Sequence, residues 1–230
     1  MVNFAGMVKA EAVIFDFDGV IVDTEPLHYE AFQRLLKPLG MGFSWEQYVE
    51  TYMGFDDRDA FLEAFRNNKA DLSPTGLQKL IDRKADLFQE IIRDGISAYP
   101  GVVDLIRGIR ASRTPMAISS GALKSDIAPI LETLGIAACF DVIVTAEDVA
   151  RSKPDPECYR LAHTRLNEFW KLAMNPGQVL AIEDTPAGII AAKGAGMRVF
   201  AVTNSYPATQ LTQADLIVAT LDPSELLSVP

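Results

Sequence analysis

The chain has 230 residues, more than one average domain and less than two, and its 49% hydrophobic and 23% charged content excludes a disordered or fibrous protein. Its 21 Lys and Arg stand against 31 Asp and Glu, a net charge of −10; phosphate backbones and anionic bilayers repel such a chain, so neither nucleic acid nor a membrane is an expected partner. Cys139 and Cys158 are too few to staple a fold of this size, and point to a reducing, cytoplasmic compartment.

No stretch approaches the roughly 18 consecutive apolar residues of a membrane span, and the first residues lack the basic-then-apolar pattern of a signal peptide. Met7 reads as an alternative start, with residues 1–6 a frayed leader. The first apolar run, 12–17, suits a strand covered on both faces. Helical patterns follow at 27–39, 44–52, 58–68 and 73–93, and Ser44 with Gln47 fits a capping box for the second. In the last, Leu77, Leu80, Ile81, Phe88, Ile91 and Ile92 keep helical spacing around Lys84, which is expected to snorkel from the helix boundary. Beyond residue 98, strand and helix alternate: helix 100–112, strand 116–119, helix 124–134 closed by Gly135, and strand 142–145. A helix follows from Asp155-Pro156, with the proline in its first turn, to about Trp170. Strand 179–182, a helix opened by Thr185-Pro186, and strands 199–202 and 216–218 complete the chain.

This alternation predicts an α/β fold, a doubly wound parallel sheet with helices on both faces, formed by residues 8–25 and 98–230. Roughly ninety residues separate the first two strands, where a crossover normally needs one helix. Residues 26–97 therefore read as an inserted all-helical domain, expected over the C-terminal end of the first strand, where doubly wound folds bind ligands.

The densest chemistry directly follows that strand, in Asp16-Phe17-Asp18-Gly19-Val20-Ile21-Val22-Asp23-Thr24. Side-chain alternation would let Asp16 and Asp18 share a face while Phe17 points into the core. Carboxylates brought together repel unless a cation lies between them, and hard oxygen donors favour Mg²⁺. Glu183 and Asp184 bring two more carboxylates to another strand end. Ser119-Ser120-Gly121 brings a hydroxyl and backbone N–H groups to a third, and Lys153 follows a fourth. Each feature alone has a plain structural explanation: an aspartate capping a turn or helix, a turn serine, a solvated lysine. Together they describe a site for a phosphate bound through Mg²⁺.

The four ordered motifs, Asp16-Phe17-Asp18-Gly19, Ser119, Lys153 and Glu183-Asp184, resemble those of the haloacid dehalogenase-like hydrolase superfamily along the whole chain. The resemblance is to the branch with a helical cap after the first strand. Asp16 to Pro26 and Lys153-Pro154-Asp155-Pro156 look like its phosphatase and β-phosphoglucomutase-like group. The resemblance implies a Rossmann-like core and a Mg²⁺-dependent phosphatase acting on a small phosphorylated metabolite, of sugar phosphate or phosphoglycolate type. Dehalogenases of this fold lack the second aspartate, so Asp18 argues against that chemistry. Asp16 would be the nucleophile that carries an aspartyl-phosphate, and Asp18 the acid and base. Asp16, the Asp18 carbonyl and Asp184 would hold Mg²⁺, with Glu183 ligating directly or through water. Lys153 would pair with both phosphate and Asp16. Ser119 and the N–H groups of the Ser119–Gly121 turn would hold phosphoryl oxygens, Ser120 and Gly121 included, and the cap would open and close over them. His28 matches a histidine that couples cap closure to acid–base chemistry in mutases of the group. Arg58 is expected to reach substrate from the cap, although mutases place their arginine nearer the matching glycine, here Gly54. A sugar phosphomutase and a non-catalytic phospho-acceptor module stay open as alternatives. His163 and both cysteines are expected to be structural, and a monomer is the default.

Overall fold

The computed structural model describes residues 2–4, 8–53, 55–92 and 95–223. Met7 as an alternative start, Gly54 as the matching glycine, the helix end at Arg93 and residues 224–230 lie outside the described residues. The chain divides into two compact units, Met1–Asp23 with Ser97–Pro230, and Thr24–Ile96. Near the N-terminus β1 (Val2–Phe4) pairs antiparallel with β2 (Val8–Ala10), Val2 opposite Ala10. The expected frayed leader is therefore corrected: β1 is a strand, because pairing with β2 gives its backbone polar groups partners.

The regular elements described within Thr24–Ile96 are all helical. Pro26 sits in the first turn of α1 (Glu25–Leu36), where its missing N–H costs nothing, and a 3₁₀ turn, Lys37–Leu39, ends at Gly40. Ser44 and Gln47 exchange capping-box bonds around α2 (Trp45–Gln47), which continues into a π-helical turn, Tyr48–Tyr52. Asp56 caps α3 (Asp57–Asn67) by accepting from the Asp59 amide at 2.8 Å, and α4 runs Pro74–Ile92. Their apolar stripes close one core around Phe32, Leu36, Tyr48, Tyr52 and Phe61. Lys84 does not snorkel: it is fully buried, with Nζ 2.8 Å from Asp57 Oδ1 and 2.6 Å from His28 Nδ1. It also lies over the rings of Phe32 and Phe88. A carboxylate and two aromatic faces supply what a buried ammonium loses on leaving water.

In the other unit six short apolar runs make a wholly parallel sheet. These are β3 (Ala12–Phe15), β4 (Met116–Ser119), β5 (Val142–Val144), β6 (Val179–Glu183), β7 (Arg198–Val202) and β8 (Leu216–Val218), in the order β5-β4-β3-β6-β7-β8. The helices between them are α5 (Val102–Ala111), α6 (Lys124–Thr133), α7 (Glu157–Trp170) and α8 (Pro186–Gly194). Alternate strand residues, Ala12, Ile14, Val179, Ala181, Val199 and Ala201, pack with Tyr159, Ala162 and Leu166 of α7 and with Ile189 and Ala192 of α8. Val13, Phe15, Leu180, Ile182 and Phe200 point the other way and are equally buried. Strands covered on both faces explain why these runs do not alternate in polarity. Pro156 lies one residue outside α7 rather than in its first turn, and the Asp155 carboxylate accepts from the Glu157 amide at 3.0 Å. Thr185 caps α8, its hydroxyl accepting from the Gly188 amide at 3.0 Å. Among the described residues no helix is long and apolar enough to cross a membrane. The chain goes from β3 outward to β4 and β5, then returns to β6 on β3's other side. Such a reversal opens a crevice at the carboxyl ends of the two central strands.

Candidate active site

Register brings the acidic motifs together. Phe15 pairs with Ile182, and the Asp16 amide donates to the Ile182 carbonyl at 2.9 Å, so Asp16 stands beside Glu183 at the ends of β3 and β6. The strand stops at Phe15 rather than reaching residue 17, so side-chain alternation does not place Asp18. A turn does: Ile21 N donates to Phe17 O and Gly19 N to Val22 O, each at 2.8 Å. Phe17 is buried and Asp18 half-buried. Oxygens of Asp16, Glu183 and Asp184 lie within 4.8 Å of one another, and all three residues are buried.

Lys153 joins this cluster. Its ammonium donates to Asp16 Oδ1 at 2.8 Å and to Glu183 Oε1 at 2.6 Å, and lies 5.0 Å above the centre of the Tyr159 ring. Glu183 is held on every side: its Oε1 also accepts from the Tyr159 hydroxyl at 2.7 Å. Its Oε2 accepts from the amides of Asp184 and Thr185 at 3.1 and 3.4 Å and from Thr185 Oγ1 at 3.2 Å. Those five donors engage both oxygens of the carboxylate. Asp184 is oriented differently, by the Ser205 hydroxyl donating to its Oδ2. The same loop clamps the first motif, Asn204 Nδ2 donating to the Gly19 carbonyl at 2.7 Å. Gly19 has φ +76°, and a Cβ there would fall 1.9 Å from Asp184 Oδ2, so only glycine lets this turn approach the carboxylate.

Ser119 ends β4 with its hydroxyl buried, the Cys158 thiol, a weak hydrogen-bonding group, being its neighbour there. A buried hydroxyl met only by a thiol is poorly satisfied, and a ligand oxygen would serve it better. The neighbouring expectation is corrected: the Ser120 amide donates to the Val144 carbonyl at 3.0 Å, and its hydroxyl accepts from the Ala122 amide at 2.9 Å. Ser120 therefore completes the turn and its sheet bonding instead of presenting an N–H to a ligand. Gly121 is exposed in that turn.

Burial pushes the Asp16 carboxyl up to about 7, Lys153 pulling it down while Glu183 and Asp18 push it further up. Burial works against the Lys153 ammonium, yet the carboxylates of Asp16 and Glu183 hold its proton more tightly than usual. Lys153 thus stays cationic, and Asp16 is the group that responds to added positive charge. Burial likewise raises the Tyr159 phenol well above its ordinary value, so Tyr159 is a neutral donor.

His28 and Arg58 belong to the helical unit. There His28 stacks on Phe88, ring centres 4.3 Å apart, and contacts Lys84. Arg58 pairs with Asp56 at 3.2 Å and Asp59 at 3.8 Å, its side chain 41% exposed. His163 Nε2 lies 2.9 Å from the Met174 carbonyl, away from the carboxylate cluster's recorded partners. Sequence reasoning missed Tyr159, Thr185, Asn204 and Ser205. Thr185 had a signal, since it directly follows the Glu183-Asp184 pair; the other three contact the site only through tertiary packing.

A family model described as haloacid dehalogenase-like hydrolase matches residues 13–202. The phosphorylated carbohydrates phosphatase of Thermotoga maritima is 31% identical over 221 residues, 95% of this chain and 97% of that protein. The fructose-1-phosphate phosphatase of Escherichia coli is 30% identical over 187 residues, 80% of this chain and 92% of that one. A solved structure of a CbbY variant from Rhodobacter sphaeroides, in complex with xylulose-(1,5)bisphosphate, is similar with a TM-score of 0.83 at 27% identity, covering 93% of this chain and 95% of that one.

Proposed function

The chain belongs to the haloacid dehalogenase-like hydrolase family and is a phosphoric monoester hydrolase, and from that premise we propose a Mg²⁺-dependent phosphatase acting on a small sugar phosphate through an aspartyl-phosphate on Asp16. The observation that carries this reading is the contact of Lys153 with Asp16 at 2.8 Å inside a buried acidic cluster. Relatives that act on phosphorylated carbohydrates and fructose 1-phosphate support the sugar class.

The donor set fits a hard divalent ion: clustered carboxylate oxygens that repel one another in a buried site. Asp16 and Asp184 would hold it, with the Asp18 carbonyl. Glu183 is assigned to support, because protein donors already engage both its oxygens. When bound, Mg²⁺ supplies positive charge that offsets the phosphoryl oxygens.

Lys153 occupies one oxygen of Asp16 and leaves the other for phosphorus. Attack by that oxygen forms the Asp16–phosphorus bond as the ester oxygen departs, taking a proton from Asp18. Asp18 then accepts a proton from water, whose oxygen displaces Asp16 and yields orthophosphate. The buried Ser119 hydroxyl would donate to a phosphoryl oxygen, and Lys153 would steady the charge during transfer. Within the helical unit Arg58 and Lys84 are each paired with carboxylates. That favours hydrolysis of a monophosphate over a mutase cycle, which must also hold a second phosphate.

The test is phosphate release from a panel of phosphorylated metabolites with Mg²⁺, alongside Asp16→Asn and chelated controls. Turnover of sugar monophosphates that disappears in both controls is expected. Activity surviving either control overturns the assigned roles. Faster formation of a 6-phosphate than of free phosphate from a hexose 1-phosphate with trace bisphosphate would make the chain a mutase. A single stable phosphorylation without turnover would make it a phospho-acceptor.

A further inference from the structure

We propose that Tyr159 is a positioning residue for this phosphoryl transfer: its hydroxyl fixes Glu183 and, through it, the ammonium of Lys153 against Asp16. The inference rests on the phosphatase reading above. Tyr159 is a fully buried residue of α7. Its hydroxyl donates to Glu183 Oε1 at 2.7 Å, the same oxygen that receives Lys153 at 2.6 Å. Its ring lies 5.0 Å below that ammonium. One side chain therefore touches both members of the pair whose cation reaches Asp16 at 2.8 Å.

Glu183 needs this contact on one oxygen in particular. Its Oε2 is fixed by the backbone and hydroxyl that open α8, but among the described residues Oε1 has just two donors, the Tyr159 hydroxyl and Lys153. A lysine is a compact charge on a four-carbon stem and does not by itself define where a carboxylate oxygen rests. The phenol sits on a packed ring and does. It also brings no charge, so it adds a donor without competing with Lys153 for Asp16. A small drift of Lys153 would leave the Asp16 oxygen and the phosphoryl charge poorly met, and such misplacement lowers turnover more than binding.

Tyr159→Phe retains the ring beneath Lys153 and removes only the hydroxyl. On the best substrate found in the screen, kcat should fall about tenfold with KM within about twofold, the low end of what losing an outer partner costs a site. The melting temperature should fall by no more than about 2–4 °C, the shift that ~1 kcal/mol gives a chain of this size. In a Glu183→Gln background, the same substitution should change kcat less than twofold, because the group through which Tyr159 acts is already altered. Wild-type kcat in Tyr159→Phe overturns the inference. So does a loss that persists in full in the Glu183→Gln background, or one in which kcat, KM and melting temperature collapse together. A wild-type chain that releases no phosphate from any metabolite instead refutes the phosphatase reading, and this inference falls with it.

Discussion

Asp16 should make the metal-free protein less stable as pH rises. Burial holds its carboxyl up to about 7, against an ordinary 3.8. Between those values the unfolded chain has released the proton and the folded chain still holds it, so stability falls with rising pH and levels off above about 7. At ~1.4 kcal/mol per pH unit the full interval amounts to at most ~4.5 kcal/mol, a sizeable share of the ~5–15 kcal/mol that stabilises a domain. Other groups titrate too, so the reporter is the difference between wild type and Asp16→Asn, which loses this group alone. Urea unfolding in chelator from about pH 4 to about pH 8 should show wild type losing ground steadily against the variant. With millimolar Mg²⁺ the Asp16 carboxylate stays ionised in the fold, the difference should flatten, and wild type should gain stability by mass action. Parallel curves for the two proteins in chelator would refute the picture of a buried carboxyl crowded by Glu183 and Asp18.

Two further substitutions probe packing around the charged groups. A Cβ at Gly188 would lie 1.9 Å from Glu183 Oε1 and 2.1 Å from Oε2, and the five donors leave that carboxylate nowhere to go. Gly188→Ala should therefore cost about 3 kcal/mol, at the upper end of overpacking, read as a lower urea midpoint at unchanged slope; a cost below ~1 kcal/mol would contradict the packing. In the helical unit, Lys84→Met should cost ~3–5 kcal/mol, because it strands the Asp57 carboxylate. Adding Asp57→Asn should recover part of that loss, and a double variant no more stable than Lys84→Met would mean the pair is not coupled.

Much of the architecture was legible because it depends on short-range signals. The β4 and β8 runs match their strands end to end, and Thr185-Pro186 opens α8 at the expected residue. Errors came where a local pattern met a tertiary constraint. The apolar run 12–17 overshoots β3 because Phe17 is buried from a turn rather than a strand, and hydrophobicity does not distinguish the two. Lys84 reads from sequence as a helix-edge residue because a lone cation in an apolar stripe usually reaches water. Its partners, Asp57 and His28, come from other helices and are adjacent only after folding. At the acidic site, strand ends announced the carboxylates and the lysine. The groups that hold them, Tyr159 within α7 and Ser205 after β7, look in sequence like ordinary core and loop residues.

Glu183 and Asp184 show how adjacent residues of the same charge come to differ. Among the described residues, the two strand ends set the carboxylates of Asp16, Asp18, Glu183 and Asp184 against one ammonium, Lys153. A phosphate dianion entering such a field meets ~4 kcal/mol of repulsion for each unneutralised charge pair at 4 Å, with a surface-like effective dielectric. One lysine cannot offset this, so an acidic site that takes an anion needs a further cation, which the proposed Mg²⁺ supplies. The end of β6 then separates the pair: Glu183, its last residue, turns back toward α7 and the start of α8, where neutral donors and Lys153 saturate it. Asp184, one residue on, meets Ser205 and the Gly19 turn instead. On the proposed reading Asp184 is left to the metal, and Glu183 spends its charge keeping Lys153 in place.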